Sequence, residues 1–276
     1  MLKSILRGWK SQGYLDGIQL LRNRSTFFMY AFSELILATA SVSGMVLLAS
    51  KFGGIGVWSR TDIFFLLGYA LTVDSLLEMF FGYNIRNISR RIGRGQLDHL
   101  LVQPRPLWIA LFTEGFSPFS VFLRLIPGGV LIGWAITQKP IEISPMWWGW
   151  FALNIVASVG VVLGYSFAWG SLAFWSPRGA EEICSSISRM FGQLQIFPLN
   201  GLGIITGGLL TILPIGFMAW FPARTLLTVP LYPQSLLITP IVSLCFLGLG
   251  LVSFVRGLAH YGRTGSQRYL DHGHRR

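Results

Sequence analysis

The sequence predicts an all-α integral membrane protein with six transmembrane helices. The chain has 276 residues, of which 52% are hydrophobic and 12% are charged, whereas a soluble domain carries about 25% charged residues. Its mean hydropathy is +0.57. It contains six apolar stretches of about 20 residues, the length that crosses the hydrocarbon core of a bilayer. Its basic residues collect on alternate connections between these stretches, as they do in cytoplasmic loops.

Residues 1–25 precede the first stretch and predict an amphipathic helix at the cytoplasmic interface. Apolar residues recur there at helical spacing between basic ones: Leu2, Ile5, Leu6 and Trp9. A cleaved signal peptide is disfavoured because the apolar run that follows begins late, is long and contains Glu34. A frayed basic terminus is the alternative.

The six spans make up a transmembrane domain over residues 26–255. Trp108 to Glu114 is predicted to be an interfacial lead-in to the third span. Pro214 and Pro240 fall inside spans five and six, where neighbouring helices can satisfy the freed carbonyl groups. The glycine-rich segment 201–207 predicts close helix packing. The predicted spans are Thr26 to Ser50, Asp62 to Tyr83, Ser117 to Thr137, Met146 to Trp169, Leu202 to Phe221 and Ser235 to Val255.

The distribution of basic residues predicts that both termini are cytoplasmic, including a basic tail over residues 256–276. Few cations fall on the other side: Lys51, Arg60, Lys139 and Arg224. The formal net charge of +11 could also indicate nucleic-acid binding. We disfavour that interpretation because the arginines cluster just outside apolar spans and do not form one basic face. We expect a multi-pass protein of a prokaryotic inner or plasma membrane.

The loop between spans two and three, residues 84–105, has an unusual construction. It is basic, breaks at Gly93 and Gly95, resumes as an amphipathic run, and stops at Pro104. This pattern predicts a short helix lying under the membrane, where another protein can bind it. We expect an apolar ridge on that helix, with Asp98 near its N-terminal end, where a carboxylate is favourable. The ridge consists of Leu97, Leu100 and Leu101.

Four charged residues fall within predicted spans: Glu34, Asp74, Glu78 and Arg124. Asp74 and Glu78 are four residues apart and therefore share one helical face. A charge inside a membrane should face protein or water and have a partner. The four residues either line a translocation path or form an interhelical ion pair that fixes packing. Glu78 is the preferred partner of Arg124 because of its longer reach.

The sequence shows no enzyme active site. Each lysine lacks the preceding glycine that a phosphate-binding P-loop requires; the lysines are Lys3, Lys10, Lys51 and Lys139. Nucleophile-elbow and zinc-protease motifs are also missing from the sequence. Cys184 and Cys245 are too few for a disulfide framework or a zinc site, and His272 and His274 lie on a polar tail. We therefore expect no cofactor on this chain.

Several motifs resemble those of one family. Gly95-Gln-Leu-Asp98-His-Leu-Leu-Val-Gln-Pro104 resembles the Gly-x-Leu-Asp-x-Leu-Leu-x-x-Pro signature in the cytoplasmic loop of ABC-2 type exporter permeases. Ala173-Phe-Trp175, then Phe221-Pro222, then the tail from Arg256 to Ser266 are similar to later motifs of that family, in the same order. The resemblance runs from about residue 20 to residue 268.

The resemblance implies that two permeases, identical or homologous, form a dimer with two copies of a separate ABC ATPase that binds ATP and magnesium. The loop 84–105 would be the coupling helix, with residues 177–195 as a second cytoplasmic contact and residues 222–233 as a re-entrant outer loop. The implied coupling residues are Gly95, Leu97, Asp98, Leu100, Leu101 and Pro104. The substrate could be a drug, a lipid or a glycan.

Two alternatives remain from other functional classes. One is a secondary transporter driven by an ion gradient, with Glu34, Asp74 and Glu78 as the ion carriers. Such transporters tend to contain internal repeats, and no convincing repeat relates the two halves of the sequence. The other is a membrane scaffold without transport. Neither alternative accounts for an amphipathic helix set between glycine and proline breaks.

Overall fold

The computed structural model describes residues 2–22, 24–81, 87–139, 143–199, 214–228 and 233–265. These residues are almost entirely helical, which confirms the predicted all-α class. A two-stranded hairpin joins β1 (Gly54–Ile55) to β2 (Trp58–Ser59). Short 3-10 turns occupy Phe122–Arg124, Ser171–Phe174, Ile215–Phe217 and Pro233–Leu237. The α-helices are α1 (Leu2–Arg22), α2 (Arg24–Phe52), α3 (Arg60–Phe81), α4 (Ile88–Gly93), α5 (Gln96–Leu101), α6 (Leu107–Thr113), α7 (Pro118–Val121), α8 (Leu125–Gln138), α9 (Pro145–Gly170), α10 (Pro177–Leu194), α11 (Trp220–Leu227) and α12 (Ile238–Thr264).

Five helical stretches in the described residues are long and apolar enough to cross a membrane. They are Phe27–Phe52, Arg60–Phe81, Leu107–Gln138, Pro145–Phe174 and Gln234–Thr264. They correspond to predicted spans one, two, three, four and six. The third stretch is interrupted after α6, where Gly115 has a φ of +87°, a conformation that glycine adopts at little cost. The lead-in predicted before span three is therefore a separate helix.

Most of predicted span five lies outside the described residues, as does the glycine-rich segment 201–207. The described part, from Pro214 to Phe221, does not continue as a regular helix to Phe221, so that boundary is wrong. Pro214 precedes a 3-10 turn, and α11 then begins at Trp220. A proline in a helix interior removes a hydrogen-bond donor, whereas Pro222 lies in the first turn of α11, where no donor is needed. Residues 84–86, 229–232 and 266–276, which belong to predicted loops and the tail, are likewise outside the described residues.

Among the described spanning helices, α2, α3, α8 and α9 alternate in direction and α12 runs parallel to α9, so the connecting elements collect at two ends. We call one the basic end; it holds α1, α4, α5, α10 and the last turns of α12. Contacts at this end include the hydrogen bond from the indole of Trp9 in α1 to the Phe112 carbonyl in α6 at 2.8 Å and the pairing of Arg90 with Glu181 at 2.9 Å. The opposite end holds the β1–β2 hairpin and α11, where the indole of Trp147 donates to the Leu226 carbonyl at 3.2 Å.

Small residues allow the spanning helices to approach closely. A Cβ atom on Gly164 of α9 would lie 2.3 Å from a backbone carbon of Phe246 in α12. A Cβ atom on Gly68 of α3 would lie 2.8 Å from the carbonyl oxygen of Gly128 in α8. Both distances are too short for a side chain, so these glycines are required for the packing. Close approach through small residues is how membrane helices gain dispersion energy without a hydrophobic driving force.

The N-terminal segment forms a helix along its whole described length, as predicted. It lies against α6 and α7, and Gly8 and Gly13 face Thr113 and Phe116. The carboxylate of Asp16 accepts hydrogen bonds from the backbone amides of Phe119 and Ser120 at 2.9 and 3.1 Å, which satisfies free amides at the start of α7. The outward face of α1 exposes Leu6, Tyr14, Ile18 and Leu21.

Candidate functional site

The segment between α3 and α6 contains two short helices at the basic end. Gly95 joins α4 to α5 with a φ of +70°, in the left-handed region, which favours glycine because a side chain would be strained there. Helix α5 ends at Leu101, three residues before Pro104. The breaks at Gly95 and Pro104 and the short helix between them were therefore predicted correctly.

The leucines of α5 do not all face outward. Leu97 and Leu100 are 0% and 3% exposed, whereas Leu101 and Val102 are 44% and 84% exposed. The apolar ridge expected from the sequence is therefore buried at Leu97 and Leu100 and exposed at Leu101. The reason is that α5 packs against α4 and α6 and uses its own apolar face for that contact. The outward apolar surface is limited to Leu101 and Val102, next to the exposed Pro104.

Asp98 is engaged by the other end of the chain. The hydroxyl of Tyr261, in the last turn of α12, donates a hydrogen bond to its carboxylate. The ring of Tyr261 also lies against Phe174, with 5.6 Å between ring centroids. The two hydrogen-bonded residues are 163 positions apart, so the spacing of residues within the loop could not predict this contact. The only sequence signal at Tyr261 is its place in the tail motif that resembles the family.

Helix α4 is fastened to two further elements. The guanidinium of Arg90 pairs with Glu181 of α10 at 2.9 Å, and that of Arg91 pairs with Glu114, which follows α6, at 3.0 Å. Ile88 is fully buried beneath the end of α9, where a Cβ atom on Gly170 would meet its side chain at 2.2 Å. Helices α4 and α5 are thus in contact with α9, α10, α12 and the end of α6. A displacement of this segment would change its contacts with all four.

The loop after span four is the amphipathic helix α10 at the basic end. Of the apolar residues that recur at helical spacing along it, Ile183 is exposed, while Ile187, Met190 and Leu194 pack partly against the interior. Most of this apolar stripe is therefore used for internal packing, and Ile183 is left on the surface.

Three of the four charged residues within the spans form one cluster. Arg124 lies in a 3-10 turn between α7 and α8. Its guanidinium is 2.5 Å from the carboxylate of Asp74 in α3 and 3.3 Å from that of Glu34 in α2. Its carbonyl oxygen also accepts a hydrogen bond from the hydroxyl of Ser75 at 3.2 Å. The cluster joins the first three spans at one point.

The expected pairing of Arg124 with Glu78 is wrong, because Arg124 pairs with Asp74 and Glu34. Asp74 and Glu78 bracket Arg124 in depth, so the reach of the side chain was a poor guide. Glu34 on α2, which depth along α3 could not reveal, is the second partner of the guanidinium. Glu78 is half-buried one turn nearer to the basic end.

An apolar cavity of about 370 Å³ lies between α6, α9 and α12. The described residues that line it include Trp108, Phe112, Leu163 and Leu247, none of them charged. Trp108 stacks on Phe167 with 6.3 Å between ring centroids. The shape of this cavity therefore depends on how α12 sits relative to α6 and α9.

The chain matches the family described as ABC-2 family transporter protein over residues 35–265. This range includes every transmembrane stretch described above apart from the first turns of α2. A search of the curated proteins found no match, and neither did a search of the solved structures. Proteins of this family are membrane components of transporters. They generally work with an ABC ATPase and are not themselves the ATPase. The chain is therefore a multi-pass membrane protein that belongs to the ABC-2 transporter family.

Proposed function

We propose that this chain is the transmembrane subunit of an ATP-driven exporter, and that α4 and α5 bind a separate ATPase subunit. The observation that carries the proposal is the arrangement of α5. An exposed apolar pair, Leu101 and Val102, projects from a helix whose other face is buried in the membrane domain. A helix anchored in this way can both receive a partner and pass on its movement.

The remaining features of the proposal follow from the sequence and the family. Because each lysine of the chain lacks the context of a P-loop, ATP and magnesium would bind to the partner ATPase and not to this chain. Two permeases, identical or homologous, would form the path, with two ATPases beneath them. The basic end would face the cytoplasm.

The cluster of Arg124, Asp74 and Glu34 has a packing role in this proposal. Both acids are paired to one guanidinium, which makes them poor carriers for an exchangeable proton or sodium ion. An acid that binds a proton or sodium ion in each cycle would lose its negative charge and leave the Arg124 guanidinium less compensated within the membrane, which is costly. This pairing argues against a transporter driven by an ion gradient.

Co-purification of the ATPase with surface variants tests the proposal. Val102→Asp places a charge on the exposed apolar pair without entering the interior. Since burying one such side chain contributes roughly 1.5–3 kcal/mol, we expect the affinity for the ATPase to fall about tenfold or more. Val57→Asp is the matched control, because Val57 is 80% exposed at the opposite end. Retention of the ATPase by Val102→Asp at the level of the control would refute this binding surface.

Leu100 serves a separate purpose in the same experiment. Since Leu100 is buried, Leu100→Glu should unfold α5 and lower the yield of folded permease, and loss of ATPase from that variant would not identify a binding surface. A variant that keeps its wild-type stability and loses the ATPase is therefore expected only at exposed positions such as Val102.

A further inference from the structure

The contact between Asp98 and Tyr261 joins the proposed ATPase-binding helix to the last spanning helix. Tyr261 lies three residues before the end of α12 and is 6% exposed. Its hydroxyl donates to the Asp98 carboxylate. A hydrogen bond to a charged acceptor is stronger than one between neutral groups, so this contact holds the two helix ends in a defined register.

The end of α12 is itself seated firmly. A Cβ atom on Gly257 would lie 2.1 Å from the ring of Phe174, and Phe174 contacts Phe254 and Tyr261 with centroid distances of 5.5 and 5.6 Å. His260 stacks on Trp175 at 5.4 Å. These contacts make the last turns of α12 and the 3-10 turn after α9 one packed unit, to which Asp98 is tied.

Helix α5 is too short to hold its own position. It has six residues, far fewer than an isolated helix needs to be stable in water. Its position is set by the burial of Leu97 and Leu100 and by the contact of Asp98 with Tyr261. Burial of leucine is non-directional, whereas a hydrogen bond fixes the relative placement of two atoms.

We infer that Tyr261 is a positioning residue through which a displacement of α5 by the ATPase is passed to α12. The inference rests on the proposed function and deepens it by naming the route. Because Gly164 and Gly250 bring α9 and α12 into backbone contact, a shift of α12 cannot occur without repacking against α9. The apolar cavity between α6, α9 and α12 then changes shape with the position of α12.

Amide hydrogen exchange on the complete permease–ATPase complex, with and without ATP and orthovanadate, tests this route. Two peptides are compared, one covering residues 94–105 and one covering residues 252–265. In the wild type, both peptides should change their exchange when the nucleotide is trapped. In Tyr261→Phe, which keeps the ring against Phe174, the response of 94–105 should persist and the response of 252–265 should be lost.

Matched variants separate the hydroxyl from other effects. Tyr14→Phe removes a hydroxyl at the same end from an exposed tyrosine, and both peptides should respond as in the wild type. Asp98→Asn retains a side-chain oxygen that accepts the hydrogen bond from the Tyr261 hydroxyl, and both peptides should therefore respond. Asp98→Ala breaks the contact from the other side and should reproduce Tyr261→Phe, which covers the case in which Tyr261→Phe does not fold.

The outcomes distinguish the inference from the proposed function. A wild-type response of 252–265 in both Tyr261→Phe and Asp98→Ala would overturn the route through Tyr261 and leave the ATPase-binding role of α5 intact. The route is overturned in the same way if 252–265 never responds in the wild type while 94–105 does. If the ATPase does not co-purify, or 94–105 does not respond in the wild type, the proposed function fails and the inference fails with it.

Discussion

Removal of the Asp74 carboxylate should destabilise the protein more than removal of the Glu34 carboxylate, the other acid paired with Arg124. The carboxylate lies 2.5 Å from the guanidinium and its side chain is only 9% exposed. Asp74→Ala leaves Arg124 with a charge in a poorly solvated site. Breaking one side of a buried pair costs about 3–5 kcal/mol, a large part of the total stability of a typical protein.

Removal of either of the other two members of the cluster should also lower the stability of the protein. Glu34 is 3.3 Å from Arg124 and its side chain is 20% exposed, so Glu34→Ala should cost about 1.5–3 kcal/mol, as for one hydrogen bond to a charged group. Arg124→Ala leaves two acids close together and should cost about as much as Asp74→Ala. The double variant of Asp74 and Arg124 should cost less than the sum of the two single changes, because the interaction between these two residues is lost only once, although Glu34 also loses its contact with Arg124.

Unfolding of the purified protein in detergent, followed by heat or by added denaturant, measures these differences. Ser43→Ala is a suitable control, since Ser43 is exposed on α2 and its hydroxyl contacts only the local backbone at 2.8 Å. Interacting residues should show a coupling free energy of about 0.5–3 kcal/mol. Full additivity of the Asp74 and Arg124 variants would refute the ion pair. Wild-type stability of Asp74→Asn combined with loss of transport would instead indicate a path-lining role.

Three further predictions follow from the packing, the sidedness and the thiols. Gly164→Ala should lower the free energy of unfolding by about 1–3 kcal/mol through overpacking. Gly149→Ala, on the same helix with open space around it, should not lower it. Equal melting temperatures for the two variants would contradict the close α9–α12 contact. With both native cysteines replaced by serine, Val57→Cys should react with an impermeant maleimide from outside intact cells, and Arg263→Cys should react only after permeabilisation; the reverse pattern would invert the proposed orientation. Burial raises the pKa of the Cys184 thiol above its ordinary value, against the lowering effect of the hydrogen bond with Ser89. At pH 8 the thiolate fraction and the alkylation rate of Cys184 should therefore be lower than those of the cysteine in Val57→Cys, and both should rise as the pH increases. Equal alkylation rates of the two thiols at pH 8 would argue against burial of Cys184.

Much of the fold could be predicted from local patterns. Hydropathy located five stretches that the structure describes as long apolar helices, because the length and apolarity of a span are properties of consecutive residues. The short helix α5 was also predictable, since Gly95 and Pro104 act on the backbone at their own positions. Hydropathy fails at Pro214. The apolar stretch from Leu202 to Phe221 predicted one continuous helix, although a proline inside it interrupts the backbone hydrogen bonds of a helix.

Local patterns along the chain are therefore sufficient to predict the class of the protein, the positions of five of its long helices, the asymmetry of its basic residues and the breaks around α5. The faces that meet depend on the tertiary structure. It turned Leu97 and Leu100 inward and left Leu101 and Val102 outside, it paired Arg124 with Asp74 and Glu34, and it joined Asp98 to Tyr261. The physical reason is that helical periodicity defines the faces of a helix, whereas the partner of each face depends on contacts between helices that lie far apart along the chain.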